Sequence, residues 1–309
     1  MRNIWKAIEI SRPLLWLNTS MPVLWGAVGL RGELVAGDVL LYAFFLFPYN
    51  YFLHAPNDYY DFETDARNPR KGGVEGALTP KPLLARHAVV STLVLAPFLV
   101  YVGAALPPLA LLSLMVLLVL SAGYNAPPTR LKGRPVLDSL TNVLYAIPLQ
   151  VGLHAAGSPN LVDAPVLVFA AWGIGAQALT TITDRDEDAA AGVRTIAVLL
   201  GRRATALFAA AWFALVAAGA VAVTGVAASA LLALPYLALC LIGHDASGEA
   251  GRRLYRLFLV ANVGIGATIT MLVLVGIGVD AAIPAGILAM AGTAIALGVS
   301  VGRAVLQRR

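Results

Sequence analysis

Along the chain, hydrophobic positions gather into long runs rather than the two-residue alternation of strands or the single stripe of a surface helix. Runs of about 16 to 23 residues, near the ~20 that cross a bilayer as a helix, cover 13–30, 39–56, 85–106, 108–124, 138–156, 164–183, 204–224, 226–243, 255–278 and 281–302. Pro107-Pro108 separates the third from the fourth, and weaker joints lie near Gly225 and Asp280, so the pattern predicts nine or ten transmembrane helices. The expected fold class is all-α, a polytopic membrane helical bundle. Little remains between runs for a separate soluble part, and residues 1–309 read as one integral-membrane domain. The first run opens a series of similar spans and is expected to stay rather than be cleaved. Ahead of it, residues 1–12 set Ile4, Trp5 and Ile8 against Arg2 and Lys6, the pattern of a short interfacial helix.

Composition strengthens this reading. The 309 residues are 59% hydrophobic and 13% charged, with a mean hydropathy of +0.78, whereas soluble domains carry about 25% charge. A single cysteine, Cys240, lies in an apolar run, which excludes disulfide scaffolds and Cys-based metal sites and reads as a buried small hydrophobe. The net charge of +5 comes with no basic amphipathic run, so nucleic acid is not an expected partner. Sorted by loop over ten spans, 21 of the 22 Lys and Arg fall on one side, with only Arg31 opposite. The same side holds 13 of the 17 acids, so it carries +8 against −3. By the positive-inside rule both termini and the three large loops, 57–82, 125–137 and 184–203, are expected on the cytoplasmic side of the cell membrane.

Two acidic clusters run against that basic side. Asn57-Asp58-Tyr59-Tyr60-Asp61-Phe62-Glu63-Thr64-Asp65 continues the second span, and on a continuing helix Asp58, Asp61 and Asp65 would share a sector of about 60°. Near a helix C-terminus they also face the negative end of the macrodipole, so something cationic should offset them. Asp184-Arg185-Asp186-Glu187-Asp188 follows the sixth span and puts Asp184 and Asp188 on one face at i, i+4. Hard divalent ions take oxygen ligands, and Mg²⁺ binds through one or two carboxylates together with substrate phosphate oxygens. Two such groups could hold a diphosphate through Mg²⁺. Ionisable groups bordering hydrocarbon are expensive, which weighs against two merely solvated helix ends. Basic residues able to receive a leaving diphosphate follow: Arg67, Arg70 and Lys71, then Arg130, Lys132 and Arg134, then Arg194.

Asn57-Asp58-x-x-Asp61-x-x-x-Asp65, Tyr124-Asn125-Ala126-Pro127-Pro128-x-Arg130-x-Lys132 and Asp184-x-x-x-Asp188-x-x-x-Gly192-x-x-Thr195 resemble the three signatures of the UbiA superfamily of intramembrane prenyltransferases, in the expected order. Within it, Ser11-Arg12-Pro13 with Trp16 and Asn18-Thr19, then Phe47-Pro48 and Asn68-Pro69-Arg70-Lys71-Gly72, are similar to the lycopene elongases of C50 carotenoid biosynthesis. The resemblance implies nine spans around a central cavity open laterally to lipid, with Mg²⁺ held by the two Asp motifs. It implies transfer of a prenyl group from an allylic diphosphate, dimethylallyl diphosphate for an elongase, to a lipophilic acceptor, lycopene for that branch and an aromatic ring for the quinone or chlorophyll branches. Asp58, Asp61, Asp184 and Asp188 would be catalytic, Asn57 would ligate or orient the metal, and Asn18, His54, Tyr59, Tyr60 and Tyr124 are candidates for the acceptor and cation pocket. Tyr49, Tyr51 and Phe62 are near enough to line its wall; an aromatic face stabilises a cation by roughly 0.5 to 2 kcal/mol. Pro48, Pro56 and Pro148 are expected to kink spans, and Gly72-Gly73 with Gly76 to form a flexible cap. Membrane CDP-alcohol phosphotransferases gather their carboxylates in one continuous motif, unlike this chain. A cation transporter needs ionisable groups near the midplane, where these spans hold almost none.

Overall fold

A computed structural model describes residues 2–65 and 79–306, among which there are helices and no strand. In order these are α1 (Arg2–Ile10), α2 (Leu17–Arg31), α3 (Ala36–Leu46), α4 (Pro48–Tyr60), α5 (Phe62–Asp65), α6 (Lys81–Ala105), α7 (Pro108–Asn125) and α8 (Leu137–Leu140). Then come α9 (Ile147–Ala155), α10 (Ala164–Ala190), α11 (Ile196–Leu200), α12 (Arg202–Thr224), α13 (Leu234–Gly243), α14 (Gly248–Gly276) and α15 (Val279–Leu306). Among the described residues, six helices are long and apolar enough to cross a membrane: α6, α7, α10, α12, α14 and α15. Exposed Val260, Met271 and Val275 on α14 and Ile283 and Met290 on α15 are the apolar surface a lipid-facing helix presents. The expected N-terminal helix is α1.

The runs expected as spans fall on helix; the run 13–30 opens on a 3₁₀ turn, Pro13–Leu15, ahead of α2, and three others are broken internally. The run 39–56 splits at Phe47 (φ −126°, ψ −59°) into α3 and α4. Pro48 has no N–H to give and its ring excludes the carbonyl one turn back. At the break the Phe45 carbonyl accepts from Thr19 Oγ1 at 2.9 Å and Asn50 Nδ2 at 2.6 Å, which lets a broken helix persist where water is scarce. The run 138–156 becomes α8, a 3₁₀ segment Thr141–Tyr145 and α9, which carries Pro148 in its first turn. The run 226–243 becomes a 3₁₀ segment Ala227–Ala233 and α13, which opens on Leu234-Pro235.

The chain divides into two compact units. The first comprises Met1–Leu118, Pro148–Leu161 and Ile269–Arg309. Within it α2 and α9 cross backbone to backbone. A Cβ on Gly152 would meet the Val23 carbonyl and lie 2.9 Å from Ala27 N, and one on Gly26 would meet the Leu149 carbonyl. Small residues permit this approach, which a membrane protein uses in place of hydrophobic driving force. Gly152→Val should therefore force the helices apart at the upper end of the ~1–3 kcal/mol typical of overpacking. A lowered thermal midpoint of the detergent-solubilised protein is the check. Met21, Leu24, Val28, Tyr42, Ala285 and Ala289 form a second packed group in this unit. Arg31, the cation that the charge sorting sets apart from the others, pairs with Asp38: Nη1 lies 2.5 Å from Asp38 Oδ2, and Nη2 donates to the Ala155 carbonyl at 2.6 Å.

The second unit comprises Val119–Ile147 and Val162–Thr268. Its core lies along α10, α12 and α13, where Leu179, Ile182, Phe213 and Tyr236 are buried and the Phe213 and Tyr236 rings stack at 4.9 Å. Asn142 in the 3₁₀ segment donates Nδ2 to the Gly173 carbonyl at 2.9 Å, tying that irregular backbone to α10.

Candidate active site

The first acidic cluster does not continue as one helix. At Asp61 the backbone turns (φ −96°, ψ 4°) and α4 ends, so the single sector expected for Asp58, Asp61 and Asp65 is interrupted. Asp61 caps α4 by donating its N–H to the Asn57 carbonyl at 3.0 Å, and α5 begins anew at Phe62. Asp58, in the last turn of α4, is 2% exposed. The cation that offsets it is supplied by the chain itself. Arg12 Nη2 lies 2.7 Å from Asp58 Oδ1 and donates at 3.2 Å to Asn57 Oδ1.

Local structure aims that guanidinium. Arg12 adopts a left-handed conformation (φ 55°, ψ 74°), uncommon for a residue with a side chain, at the corner between α1 and the 3₁₀ turn Pro13–Leu15. Trp16 Nε1 fixes the corner by donating to the Ser11 carbonyl at 2.9 Å. On the other side of the turn, Ile10 packs in a buried cluster with Tyr51 and Ala55 of α4 and Leu84 of α6. Sequence reasoning noted Ser11-Arg12-Pro13 and Trp16 without giving Arg12 a place in the site. The available signal was the unoffset carboxylate sector itself, which demanded a cation.

In the second unit α10 runs unbroken through Ala190, so Asp184 and Asp188 are one turn apart on one helix, both half-buried. Thr183 Oγ1 lies 3.4 Å from Asp184 Oδ1, and Thr195 Oγ1 lies 3.3 Å from Asp188 Oδ2. Asp186 points elsewhere, pairing with Arg202 at 2.6 Å and Arg185 at 3.1 Å. Gly192, at φ 72°, reverses the chain after α10, leaving Arg194 exposed and Thr195 buried. Sequence reasoning missed Asp138, which is buried and accepts the Ile196 N–H at 2.8 Å.

Of the expected basic residues, Arg130 and Lys132 are half-buried around the turn Leu131–Gly133, and Lys132 Nζ lies 3.4 Å from Asn125 Oδ1. Arg134 is exposed and donates to the Pro128 carbonyl at 3.2 Å. Arg67, Arg70 and Lys71, the glycines of the expected cap and the Asp65 side chain lie outside the described residues.

The aromatic expectations divide. Tyr49 is buried against Phe44 and Phe45, and Tyr51 stacks on Phe47 at 5.5 Å while its hydroxyl meets His87 Nδ1 at 2.5 Å; both are packed in the core. Tyr59 and Tyr60 meet edge to face at 5.1 Å, with Tyr60 exposed. Phe62 lies under the Lys81 ammonium at 5.7 Å. His54 is buried on α4, while Asn18 on α2 and Tyr124 on α7 are half-buried.

Among the described residues no group of three or more His, Cys, Asp or Glu gathers as a metal cage. What they offer is hard oxygen: the Asn57 amide with Asp58 in one unit, and Asp184 with Asp188 in the other. That donor chemistry fits Mg²⁺, which takes few protein carboxylates and completes its shell with phosphate and water.

Residues 19–260 match the model of the UbiA prenyltransferase family. The chain belongs to the UbiA prenyltransferase family. Membership places it among prenyl-transferring enzymes. It is 35% identical over 277 residues to the C(50) beta-cyclic carotenoids biosynthesis protein LbtBC of Dietzia, covering 85% of this chain and 63% of that longer protein. It is 34% identical over 281 residues to a lycopene elongase/hydratase of Corynebacterium glutamicum, covering 85% of this chain and 94% of that one. A UbiA homolog from Archaeoglobus fulgidus, solved with GPP and Mg²⁺ and again with DMAPP and Mg²⁺, has the same fold. Its TM-score is 0.61 at 18% identity, over 85% of this chain and 99% of that one.

Proposed function

We propose that the protein transfers the five-carbon prenyl group of dimethylallyl diphosphate to lycopene, lengthening a C40 carotenoid towards C50. The observation that carries this reading is the 34% identity with a lycopene elongase/hydratase over 94% of that protein's length. Mg²⁺, when bound with the donor, would neutralise charge growing on the departing diphosphate. Asn57, Asp58 and Asp61, and Asp184 and Asp188, are the residues that would hold it, with Asp65 joining the first set. Arg12, 2.7 Å from Asp58 Oδ1, would hold that carboxylate in one orientation. Arg130, Lys132 and Arg194, with Arg67, Arg70 and Lys71, take up the diphosphate oxygens, the arginines as bidentate forks and the lysines as point charges.

The C1–O bond breaks and its electron pair leaves with the diphosphate. The π pair of a terminal double bond of lycopene then forms the new bond to C1. The resulting tertiary cation loses a proton, or takes up water and then loses a proton. Tyr59, Tyr60 and Tyr124 offer ring faces to the cationic species, and Asn18 and His54 line the acceptor side. The active-site loops face the cytoplasm, in keeping with the charge sorting, and a C40 hydrocarbon reaches the site from the bilayer.

Expression in a lycopene-accumulating host tests the reading through its pigments. C45 and C50 carotenoids are expected. An unchanged pigment profile alongside a prenylated quinone would move the protein to an aromatic-acceptor branch.

A further inference from the structure

Asp138 is 0% exposed at the start of α8, and its carboxylate is spent on backbone rather than on a cation. Oδ2 accepts the Ile196 N–H at 2.8 Å, across 58 residues of sequence, while Oδ1 accepts the Ser139 N–H at 2.8 Å and the Ser139 hydroxyl at 3.3 Å. A buried carboxylate is costly unless it is hydrogen-bonded, and these donors supply that compensation. The Ile196 carbonyl is met from the other side by Thr205 Oγ1 at 3.4 Å, and the Ile196 side chain is fully buried. Residue 196 is therefore held at its N–H, its carbonyl and its side chain.

Its neighbour Thr195 is 6% exposed and turns its hydroxyl to Asp188 Oδ2 at 3.3 Å. All of these residues lie in the second unit. Two residues before Asp138, Val136 sits at φ 71°, ψ −45°, an outlier for a β-branched residue. Such strain persists where surrounding contacts over-determine the backbone. The same stretch carries Arg130 and Lys132, so one buried carboxylate joins the basic loop after α7 to the segment after the second Asp motif.

We infer that Asp138 and Thr195 are positioning residues: Asp138 anchors the Thr195-Ile196 backbone, and the Thr195 hydroxyl holds one oxygen of Asp188 so that the carboxylate keeps a single orientation for a divalent cation. A carboxylate has about four lone-pair sites, so one hydroxyl donor leaves capacity for a metal. Hydrogen-bonded partners of this kind typically set metal affinity by 10- to 100-fold. The inference rests on Asp188 being a metal ligand, as proposed above.

The test is Mn²⁺ binding to the detergent-purified full chain without donor, read from the loss of the free-ion EPR signal. Asp188→Ala serves as the control for the ligand reading. Thr195→Val, which removes only the hydroxyl, should weaken Mn²⁺ binding by roughly 10- to 100-fold, and Thr195→Ser should restore it to near wild type. Asp138→Asn, which cannot accept at both oxygens, should weaken it in the same direction. Should Asp138→Asn fail to fold, the Thr195 pair carries the test alone. Should Thr195→Val itself fold poorly, the Mg²⁺ concentration for half-maximal transfer in membranes, expected to rise at an unchanged maximal rate, replaces it. Wild-type Mn²⁺ affinity in Thr195→Val, with Asp188→Ala impaired, overturns the inference while leaving the ligand reading intact. Impaired binding that Thr195→Ser does not restore overturns it in favour of packing alone. Unchanged binding in Asp188→Ala removes the ligand reading, and this inference with it.

Discussion

Asp58→Ala and Asp184→Ala should each abolish prenyl transfer in washed membranes, by at least about a hundredfold, while the protein still inserts. Removing one preorganised group that stabilises developing charge commonly costs 10²- to 10³-fold, and each of these residues is a proposed source of Mg²⁺ oxygens. The two substitutions differ in what they leave behind. Asp184 is half-buried at the end of a long helix, so its alanine variant should retain its thermal midpoint. Asp58 is buried against Arg12, so Asp58→Ala also strips a guanidinium of a carboxylate partner. Asp58→Asn separates the effects, since an amide oxygen can still accept from Arg12 while the carboxylate charge is gone. Activity assays paired with melting curves on all three variants are the measurement, and full turnover in either alanine variant would contradict the assigned roles.

Arg12→Ala is the second large effect. Asp58 is buried and Arg12 half-buried, at 2% and 15% side-chain exposure. Breaking such a pair by removing one partner typically costs about 3–5 kcal/mol when it is fully buried, because the remaining charge loses compensation. The expected result is a clearly lowered thermal midpoint together with loss of transfer, partly recovered in Arg12→Lys, which keeps the charge but not the planar fork. An Arg12→Ala protein with wild-type melting and wild-type activity would show that the contact serves neither stability nor the site.

The contrast between Asp58 and Arg12 shows what a linear sequence displays and what it hides. The all-helical character of the chain was legible because lipid imposes one requirement, a long apolar run with its backbone bonds satisfied internally. The interruptions were half legible. Pro48 and Pro148 announced a departure from regular helix, but of the groups that satisfy the Phe45 carbonyl only Asn50 is local, five residues on, whereas Thr19 lies on α2, 26 residues away. At the site, Asp184 and Asp188 kept their helical spacing because α10 continues past them, whereas the Asp58 sector was cut at Asp61 by a turn that periodicity does not foresee. Arg12 acts through a left-handed corner and a contact across 46 residues, and Asp138 through one across 58. Each is a single charged residue beside an apolar run, indistinguishable in sequence from the charges that merely set orientation.

The central claim is transfer of a prenyl group from an allylic diphosphate to lycopene by these Asp motifs with Mg²⁺. Washed membranes containing the protein, given lycopene and dimethylallyl diphosphate labelled in its carbon chain, test it most directly. Label should enter C45 and then C50 carotenoid when Mg²⁺ is present, and neither product should form with EDTA or in the Asp58→Asn and Asp184→Ala variants. Undiminished labelling in EDTA, or label that never reaches a carotenoid while Mg²⁺ and both substrates are present, would contradict it.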